Sequence, residues 1–442
     1  MIVLSIALTR MVIRQIPRPA PQNASALHEE ACDIIQSKCS DCHDSSKAPP
    51  FYAKIPVLGA PVMKDYTQGI RHWDPFDRSY LGDKGKTHSC EPPFSLSIAE
   101  KTRKVLSADT MPPRIYTTVH WGSGLSRSEK EILSAWAINI RAEWLTSHAI
   151  TAKANQSYIP IPAAIPYNKS KAALGKKLYN DKRLSTDNTI SCASCHDLAK
   201  GGTDNLRYSE GVNKQLGGVN APTVYNAAFN IRQFWDGRAA NLAEQAGGPP
   251  LNPVEMASTN WTQIVVKLDA DEELKKEFLK VYPEGFREQT ICDAIAEYEK
   301  TLLTPGSPFD RYLGGETSAI DKDEKKGFDL FNKYTCVSCH NGPSLGGQSF
   351  EYADLKADYF NGRELTDGDL GLKAFSKMEK DAKRFKVPSL RNLKRTAPYM
   401  HDGSKQTIGE AVESMLRCQV GVPVKDKEVL MLVDFLETLS TP

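Results

Sequence analysis

Three pentapeptides of the form Cys-x-x-Cys-His are the residues of this sequence best suited to chemistry. Two thiols three positions apart on a helical turn can each add to a haem vinyl group, while the adjacent imidazole reaches the iron. A thioredoxin-like dithiol needs neither the histidine nor three copies, and a zinc site needs four ligands in paired sets. The pattern therefore predicts three covalently bound haem c groups, held by Cys39, Cys42, His43, Cys192, Cys195, His196, Cys336, Cys339 and His340.

The composition is that of an ordinary soluble globular chain of 442 residues, 40% of them hydrophobic and 25% charged. It argues against a collagen-like, a largely disordered or a polytopic membrane protein. Lys and Arg (56) nearly balance Asp and Glu (54), which gives a formal net charge of +2. Because nucleic-acid-binding domains carry a basic excess, this balance indicates no nucleic-acid partner.

The pentads divide the chain at nearly regular intervals, since they begin at residues 39, 192 and 336. Proline-rich stretches at 160–166 and 305–308 lie between them and are typical of domain boundaries. The spacing predicts one haem in each of three domains. The predicted domains are 24–150, 165–305 and 309–442.

Helical periodicity dominates wherever a pattern is readable. One helix is predicted over residues 128–144, with Ser126 or Ser128 as its cap. Its apolar face is formed by Ile132, Leu133, Trp136 and Ile140, and the same spacing recurs in Ile291, Ile295, Tyr298 and Leu302. Strand-like alternation is scarce. We therefore predict a mostly α fold of three cytochrome c-like helical domains, each wrapped around one haem.

Further motifs follow in a fixed order between about residues 165 and 440. They are Leu174-Gly175-Lys176-Lys177-Leu178-Tyr179, Asn220-Ala221-Pro222-Thr223-Val224-Tyr225-Asn226, Gln233-Phe234-Trp235-Asp236-Gly237-Arg238-Ala239, Ser307-Pro308-Phe309-Asp310-Arg311-Tyr312, Phe385-Lys386-Val387-Pro388-Ser389-Leu390-Arg391-Asn392 and Thr396-Ala397-Pro398-Tyr399-Met400-His401-Asp402-Gly403. With these motifs the chain resembles the bacterial dihaem cytochrome c peroxidase family, which includes the relative that oxidises tryptophan in methylamine dehydrogenase maturation. The resemblance implies a peroxidase that reduces hydrogen peroxide to water.

In that family peroxide reacts at the middle haem, and the resemblance carries the pocket residues over to Gln245, Pro249 and Glu255. Cleavage of a peroxide bond needs a group that takes a proton from one oxygen and returns a proton to the other, which a carboxylate such as Glu255 does well. Gln245 would orient the peroxide, and Pro249 would narrow the pocket without adding a donor. The alternative is a solvated Gln245 and an ordinary loop carboxylate.

Family members that need reductive activation carry a histidine in the loop after the pentad, where it occupies the peroxidatic iron. Val212 stands at that place here, and no histidine occurs between His196 and His340. Since valine cannot ligate iron, we expect the sixth position of the middle haem to be open or to hold water. Lys214 is a weaker substitute, because an ammonium group must first lose its proton.

The last haem resembles the family's electron-transfer site. Met415 occupies the place of the distal methionine ligand, with Met400 and Met378 in reserve; the alternative is that Met415 only packs. Trp235 lies between the two haem domains in the family and is implied to help pass electrons, although a structural tryptophan is the plainer account. The resemblance also implies a calcium ion held partly by backbone oxygens, at Asn220, Thr396 and Pro398.

Residues 24–150 are absent from two-haem peroxidases. They resemble the amino-terminal haem domain of trihaem peroxidases of the enterobacterial quinol-peroxidase type, through the first pentad and Met111-Pro112-Pro113-Arg114-Ile115-Tyr116 followed by His120. A methionine before proline on a late loop commonly supplies the sixth ligand in small cytochromes, which favours Met111. Met63, His72, His88 and His120 remain alternatives, and each could instead be a packing methionine or a solvated histidine.

Four cysteines lie outside the pentads. Cys32 and Cys90 could form a disulfide in the first domain, whereas Cys292 and Cys418 fit buried small apolar positions. Covalent haem attachment takes place outside the bacterial cytoplasm, so we expect export to the periplasm. Residues 1–23 are interpreted as the remnant of a signal or of an inner-membrane anchor, although the apolar run at 2–8 is too short to span a bilayer; the alternative is that they form merely an apolar arm.

The combined reading is an exported trihaem peroxidase. Electrons would enter at the first haem from a quinol, a small cytochrome c or a cupredoxin, pass to the last haem and reach hydrogen peroxide at the middle haem. One rival is an oxidase that uses a high-valent haem to modify a protein partner; its known example has tyrosine in place of the distal methionine, so Met415 counts against it. A second rival is an electron carrier with three six-coordinate haems.

Overall fold

The computed structural model describes residues 23–56, 59–81, 90, 94–120 and 122–441, so His88 and nearly all of segment 1–23 lie outside the described residues. Two compact units are present, one formed by 1–147 with 151–157 and the other by 148–150 with 158–442. The predicted second and third domains thus belong to one unit. The α-helices of the described residues are α1 (Ala24–Lys38), α2 (Ser40–His43), α3 (Gly59–His72), α4 (Leu96–Ala108), α5 (Arg114–Val119), α6 (Arg127–Ser147), α7 (Lys169–Tyr179), α8 (Cys192–Cys195), α9 (Leu242–Gly247), α10 (Trp261–Asp269), α11 (Glu272–Leu279), α12 (Glu288–Glu299), α13 (Pro308–Leu313), α14 (Lys322–Lys333), α15 (Lys373–Ser376), α16 (Ile408–Met415) and α17 (Asp426–Glu437).

One helix pair recurs beside each pentad: α1 with α6, α7 with α12, and α14 with α17. A glycine marks the crossing of α7 with α12 and that of α14 with α17. A Cβ atom on Gly175 would lie 1.8 Å from Ala294 O, and one on Gly327 would lie 1.9 Å from Met431 O. Fully buried Ala31 lies on the first-unit helix that packs against α6. The close approach of two helix backbones explains why these positions exclude larger side chains.

The mostly α prediction is confirmed. Strand structure in the described residues is confined to a short antiparallel pair, β1 (Phe350–Tyr352) and β2 (Arg384–Lys386), and isolated bridges. The helix predicted over 128–144 is α6, and Glu129 N donates to Ser126 Oγ (3.2 Å), which makes Ser126 the capping residue. All eight residues of the two predicted apolar faces are buried.

The cysteines outside the pentads behave as expected. Cys32 and Cys90 form a disulfide, while Cys292 and Cys418 are free and buried. Buried Arg141 and Glu100, 3.6 Å apart, also hold the first unit together. Among the described residues, no helix has both the length and the apolar character needed to cross a bilayer.

Candidate haem and peroxide sites

The three pentad histidines share one arrangement. In each ring Nδ1 faces a backbone carbonyl oxygen, at 2.7 Å from His43 to Trp73, 3.3 Å from His196 to Gly202 and 3.1 Å from His340 to Leu345. Because a carbonyl can only accept, Nδ1 carries the proton and Nε2 keeps its lone pair. Burial lowers the pKa of all three imidazoles, so they are neutral. Each is therefore prepared as an iron ligand.

The six pentad cysteines are free thiols. Burial raises the pKa of Cys39 to about 12 and the pKa of Cys42 and Cys195 to about 11. Redox dithiols and zinc sites need readily formed thiolates, so these raised values argue against both alternatives. Nowhere in the described ranges do three or more His, Cys, Asp or Glu side chains form a metal-holding group. Protonated thiols beside a neutral imidazole fit covalent haem attachment.

The predicted peroxide pocket is built from one folded segment, 242–256. Gln245 lies in α9, Pro249 begins the next turn, and Glu255 follows it. Gly248 N donates to Gln245 O (3.1 Å) and Met256 N to Pro249 O (3.4 Å), so the segment folds back on itself. The Gln245 amide is partly exposed and makes no hydrogen bond to any other described residue. It is free to donate to a small ligand.

Glu255 is half-buried, and burial raises the pKa of its carboxyl group. The charge of Arg238 and a hydrogen bond from Asn252 Nδ2 to Glu255 Oε1 (2.7 Å) act in the opposite direction. Burial is the main cause of the raised pKa of Cys195, and the charges of Asp204 and then Glu255 add to it, so the Glu255 carboxyl group lies within electrostatic range of the middle pentad. Sequence reasoning missed Arg238 and Asn252. The only available signals were the motif that contains Arg238 and the closeness of Asn252 to Glu255 in the chain.

Val212 lies directly against this segment. It is 2% exposed, and its backbone N–H donates to Glu255 O (2.7 Å). A Cβ atom on the preceding Gly211 would lie 2.3 Å from Val254 O, so the loop packs tightly. Lys214, at the end of the same turn, is exposed. The side chain that the loop buries beside Glu255 is therefore one that cannot bind iron.

Around the last pentad, His340 follows a 3₁₀ turn rather than an α-helical turn. Met415 is half-buried and is the last residue of α16; the chain continues as a π-helical turn, Leu416–Val420. Such π turns are frequent at functional sites. Of the reserve candidates, Met400 packs against an aromatic cluster and Met378 precedes a short 3₁₀ turn.

Trp235 connects the two halves of the second unit. Its Nε1 donates to Asn220 O (2.8 Å), and its backbone oxygen accepts from Lys386 N (2.9 Å). The indole packs with Tyr359, Phe360 and Phe385, which all come from the predicted third domain. This position between the two predicted haem domains is compatible with a role in electron transfer.

The predicted calcium residues lie on adjoining segments. Asn220 N donates to His401 O (2.8 Å), which holds Asn220 beside the segment that contains Thr396 and Pro398. Asn205 Nδ2 donates to Ala397 O (3.1 Å) from a neighbouring loop. The backbone and amide oxygens in this region are neutral hard donors, and that donor chemistry fits calcium better than a soft metal.

An ion network adjacent to Trp235, with Asp369 and His401 buried and Arg363 exposed, was not found from the sequence. Asp369 accepts from both terminal nitrogens of Arg363 (2.6 and 2.7 Å), from His401 Nε2 (2.8 Å) and from Thr366 Oγ1 (2.7 Å). These contacts hold the pKa of the Asp369 carboxyl well below its usual range. The His401 ring also stacks on Phe385, with 4.0 Å between centroids. The network fixes the wall against which Trp235 packs.

In the first unit, α3 lies on the Nδ1 side of His43. Gly69 O is 3.1 Å from His43 Nδ1, and a Cβ atom on Gly69 would lie 2.4 Å from Cys42 O. Met111 is 38% exposed on the loop before α5. Of the alternatives, Met63 and His72 lie in α3, whereas His120 stacks on Tyr116 at 4.1 Å.

Comparison with known families and relatives gives two family matches and several similar proteins. Residues 169–318 match a family described as di-haem cytochrome c peroxidase, and residues 2–139 match a haem-binding domain. The cytochrome c peroxidase Ccp of Escherichia coli (strain K12) is 44% identical over 431 residues, which is 96% of this chain and 90% of that protein. The cytochrome c551 peroxidase of Nitrosomonas europaea is 45% identical over 291 residues, covering 65% of this chain and 85% of the relative.

Solved structures agree with these matches. A MauG-like protein associated with microbial copper homeostasis superposes with a TM-score of 0.57 at 28% identity, covering 64% of this chain and 94% of the other. The diheme peroxidase BthA from Burkholderia thailandensis shares the fold, with a TM-score of 0.53 at 21% identity over 64% of this chain and 95% of the other. With identity this high over nearly its full length to one such enzyme, the chain belongs to the di-haem cytochrome c peroxidase family, carries an additional amino-terminal haem-binding domain, and is a haem peroxidase.

Proposed function

We propose that the protein is a trihaem c-type peroxidase that reduces hydrogen peroxide to water at the middle haem. The observation that carries the proposal is the placement of Glu255, a half-buried carboxyl group within electrostatic range of the middle pentad, whose backbone oxygen accepts a hydrogen bond from Val212 N (2.7 Å). The overall reaction consumes one peroxide, two electrons and two protons and releases two waters. When bound, the middle haem supplies the redox chemistry that cleaves the O–O bond.

The residues of segment 242–256 orient the peroxide and transfer its proton. Asn252 holds Glu255 Oε1, which leaves Oε2 to accept a proton from one peroxide oxygen and return it to the other. The Gln245 amide donates a hydrogen bond that orients the peroxide. Pro249 lacks a backbone N–H, so it closes the pocket without offering a competing donor. The charge of Arg238 favours the ionised form of Glu255, which is the form that acts as the base.

The residues around the other two pentads would support electron transfer. Met415 would bind the iron of the last haem, and its thioether would raise the potential and exclude substrate. Trp235 connects that part of the chain to the middle site through its contacts with Asn220 and Lys386. For the first haem we propose Met111 as sixth ligand rather than His72, because α3 occupies the Nδ1 side of His43, away from the nitrogen that binds iron.

Electrons enter at the first haem from a redox protein, namely a small cytochrome c or a cupredoxin, or from a membrane quinol. The relatives named cytochrome c peroxidase and cytochrome c551 peroxidase support a cytochrome donor. The Cys32–Cys90 disulfide and covalent haem attachment support a periplasmic location, with an inner-membrane anchor if the donor is a quinol. Calcium at Asn220, Thr396 and Pro398 would link the two segments on which these residues lie.

The proposal is tested on the fully oxidised protein, without prior reduction. Because Val212 cannot occupy the middle iron, stopped-flow mixing with peroxide is expected to give a prompt change in haem absorption and sustained turnover with a chemical donor. Turnover that appears only after one haem is reduced would contradict the open-site argument. Cyanide binding to the oxidised protein separates the enzyme from a pure electron carrier, in which all three irons are six-coordinate and do not react.

The role of the first unit is tested by truncation at Tyr158, where the long continuous part of the second unit begins. The shortened chain is expected to hold two haems, because the relative from Nitrosomonas europaea matches only 65% of this chain. It should reduce peroxide with a chemical donor but lose turnover with the physiological donor. Equal rates for both forms with a quinol or a small cytochrome would show that electrons do not enter at the first haem.

A further inference from the structure

Glu299 is a buried acid that the proposed mechanism does not use. It is the last residue of α12 and is 4% exposed, and its Oε2 has no hydrogen-bond partner in the described part of the chain. An isolated buried carboxylate is costly, so such a group is held as the neutral acid. Burial raises the pKa of Glu299 to about 8. The group can therefore change charge near neutral pH.

The position of Glu299 is fixed by the recurring helix pair. Tyr298, the preceding residue, packs its ring against Tyr179 of α7 at 5.3 Å between centroids. The Tyr179 hydroxyl donates to His196 O (2.6 Å) in the middle pentad. Close packing of α12 on α7 at Gly175 leaves little freedom along this helix. Glu299 is thus held on the wall that also contains the pentad.

The groups that interact electrostatically with Glu299 are Cys192, Tyr179 and Tyr298, and Tyr225 acts on both tyrosines. After haem attachment Cys192 is a thioether and no longer titrates. Burial raises the pKa of each of the three tyrosines, so they remain neutral. Arg395 and Asp197 are charged groups that act on Tyr225, but none of the three described residues that interact directly with Glu299 is a Lys, Arg, His, Asp or Glu. A haem attached at Cys192 would therefore bring the nearest variable charge to Glu299.

We propose that Glu299 is a redox-linked proton site of the middle haem: its carboxyl group takes up one proton when that haem accepts one electron and releases the proton when the electron leaves. The inference rests on the proposed function, because it requires a haem at Cys192 and Cys195. The balance is one electron and one proton gained by the haem and carboxylate together. A negative carboxylate beside the macrocycle stabilises the more positive, oxidised haem. Protonation of the carboxylate removes this electrostatic stabilisation when the haem is reduced.

The test is a spectroelectrochemical titration of the full-length holoprotein between about pH 6 and 10. A Cys192→Ala/Cys195→Ala variant identifies the redox wave of the middle haem. In the wild type this wave is expected to move to lower potential as pH rises, approaching one proton per electron. Glu299→Gln should flatten the dependence, Glu299→Asp should retain part of it, and Glu288→Gln, a change at an exposed acid of the same helix, should leave it unchanged.

A wild-type wave that does not depend on pH would overturn the inference, as would a Glu299→Gln variant with the wild-type slope. If Glu299→Gln fails to load haem, redox-difference infrared spectroscopy of the wild type decides: a protonated carboxyl band must appear on reduction, and its absence refutes the proton site. A protein without haem at Cys192 and Cys195 would instead refute the proposed function. Haem content, measured by mass spectrometry, keeps the two failures apart.

Discussion

Replacement of Glu255 by glutamine separates proton transfer from structure. Glutamine keeps an oxygen that can accept from Asn252 Nδ2, and the backbone contact from Val212 N does not involve the side chain. The variant is therefore expected to fold and to retain three haems. What it loses is a group that can both accept and return a proton. The effect should appear in catalysis and not in stability.

General acid–base groups typically contribute ~10²–10⁴-fold, which corresponds to ~2.7–5.4 kcal/mol of transition-state stabilisation. Segment 242–256 contains one other carboxyl group, Glu244, which is exposed and accepts from Ala240 N (2.8 Å) at the start of α9. It is not placed to replace Glu255. We therefore expect a loss in kcat/KM in the upper part of that range.

The assay is steady-state peroxide reduction with a chemical donor, together with haem content and the oxidised absorption spectrum. Glu210→Gln is the matched control, because Glu210 is an exposed acid on the loop that contains Val212. The control should retain wild-type kcat/KM. Retention of more than about a third of wild-type kcat/KM by Glu255→Gln would remove this residue from the mechanism.

Three further substitutions follow from the contacts. Asn252→Ala removes a hydrogen bond that lowers the pKa of Glu255. Since Glu255 must be ionised to act as a base, the acid limb of the pH profile of kcat/KM should move to higher pH. An unchanged acid limb would contradict the role of Asn252. Gly175→Val places a side chain where a Cβ atom would lie 1.8 Å from Ala294 O, so the free energy of unfolding measured with denaturant should fall by ~1–3 kcal/mol or more. A variant with wild-type stability would contradict this packing. Asp369→Asn should cost ~1.5–3 kcal/mol near neutral pH, as measured by denaturation, because it removes a charge that accepts hydrogen bonds from the exposed Arg363 and from His401. The pKa of Asp369 is lowered on folding, so its stabilisation is present above the ordinary aspartate pKa and is lost in acid. The difference from wild type should therefore shrink in acid, and a constant difference would refute the assignment.

The sequence by itself determined the features that depend on local spacing. A Cys-x-x-Cys-His pentad by itself indicates haem c, because the two thiols that attach the haem and the imidazole that binds the iron lie within five residues. The 3.6-residue period of apolar residues likewise predicted α6 and α12 and their buried faces. The family resemblance identified Glu255 as the pocket carboxyl group and Val212 as the residue in place of the ligating histidine. The disulfide between Cys32 and Cys90 was predicted as one option that an exported domain permits, and the structure confirms it.

Only the tertiary structure decided the charge environment of these residues. Arg238 acts on Glu255, and Asp369 pairs with His401, although the partners are well separated in sequence. Asn252 reaches Glu255 only because the turn between them has a particular shape, which sequence spacing does not reveal. Glu299 looks like any exposed acid at a helix end until the packing of α12 on α7 removes it from water. Burial and the direction of a hydrogen bond depend on what lies opposite a side chain in space, and the sequence order of one chain does not specify that.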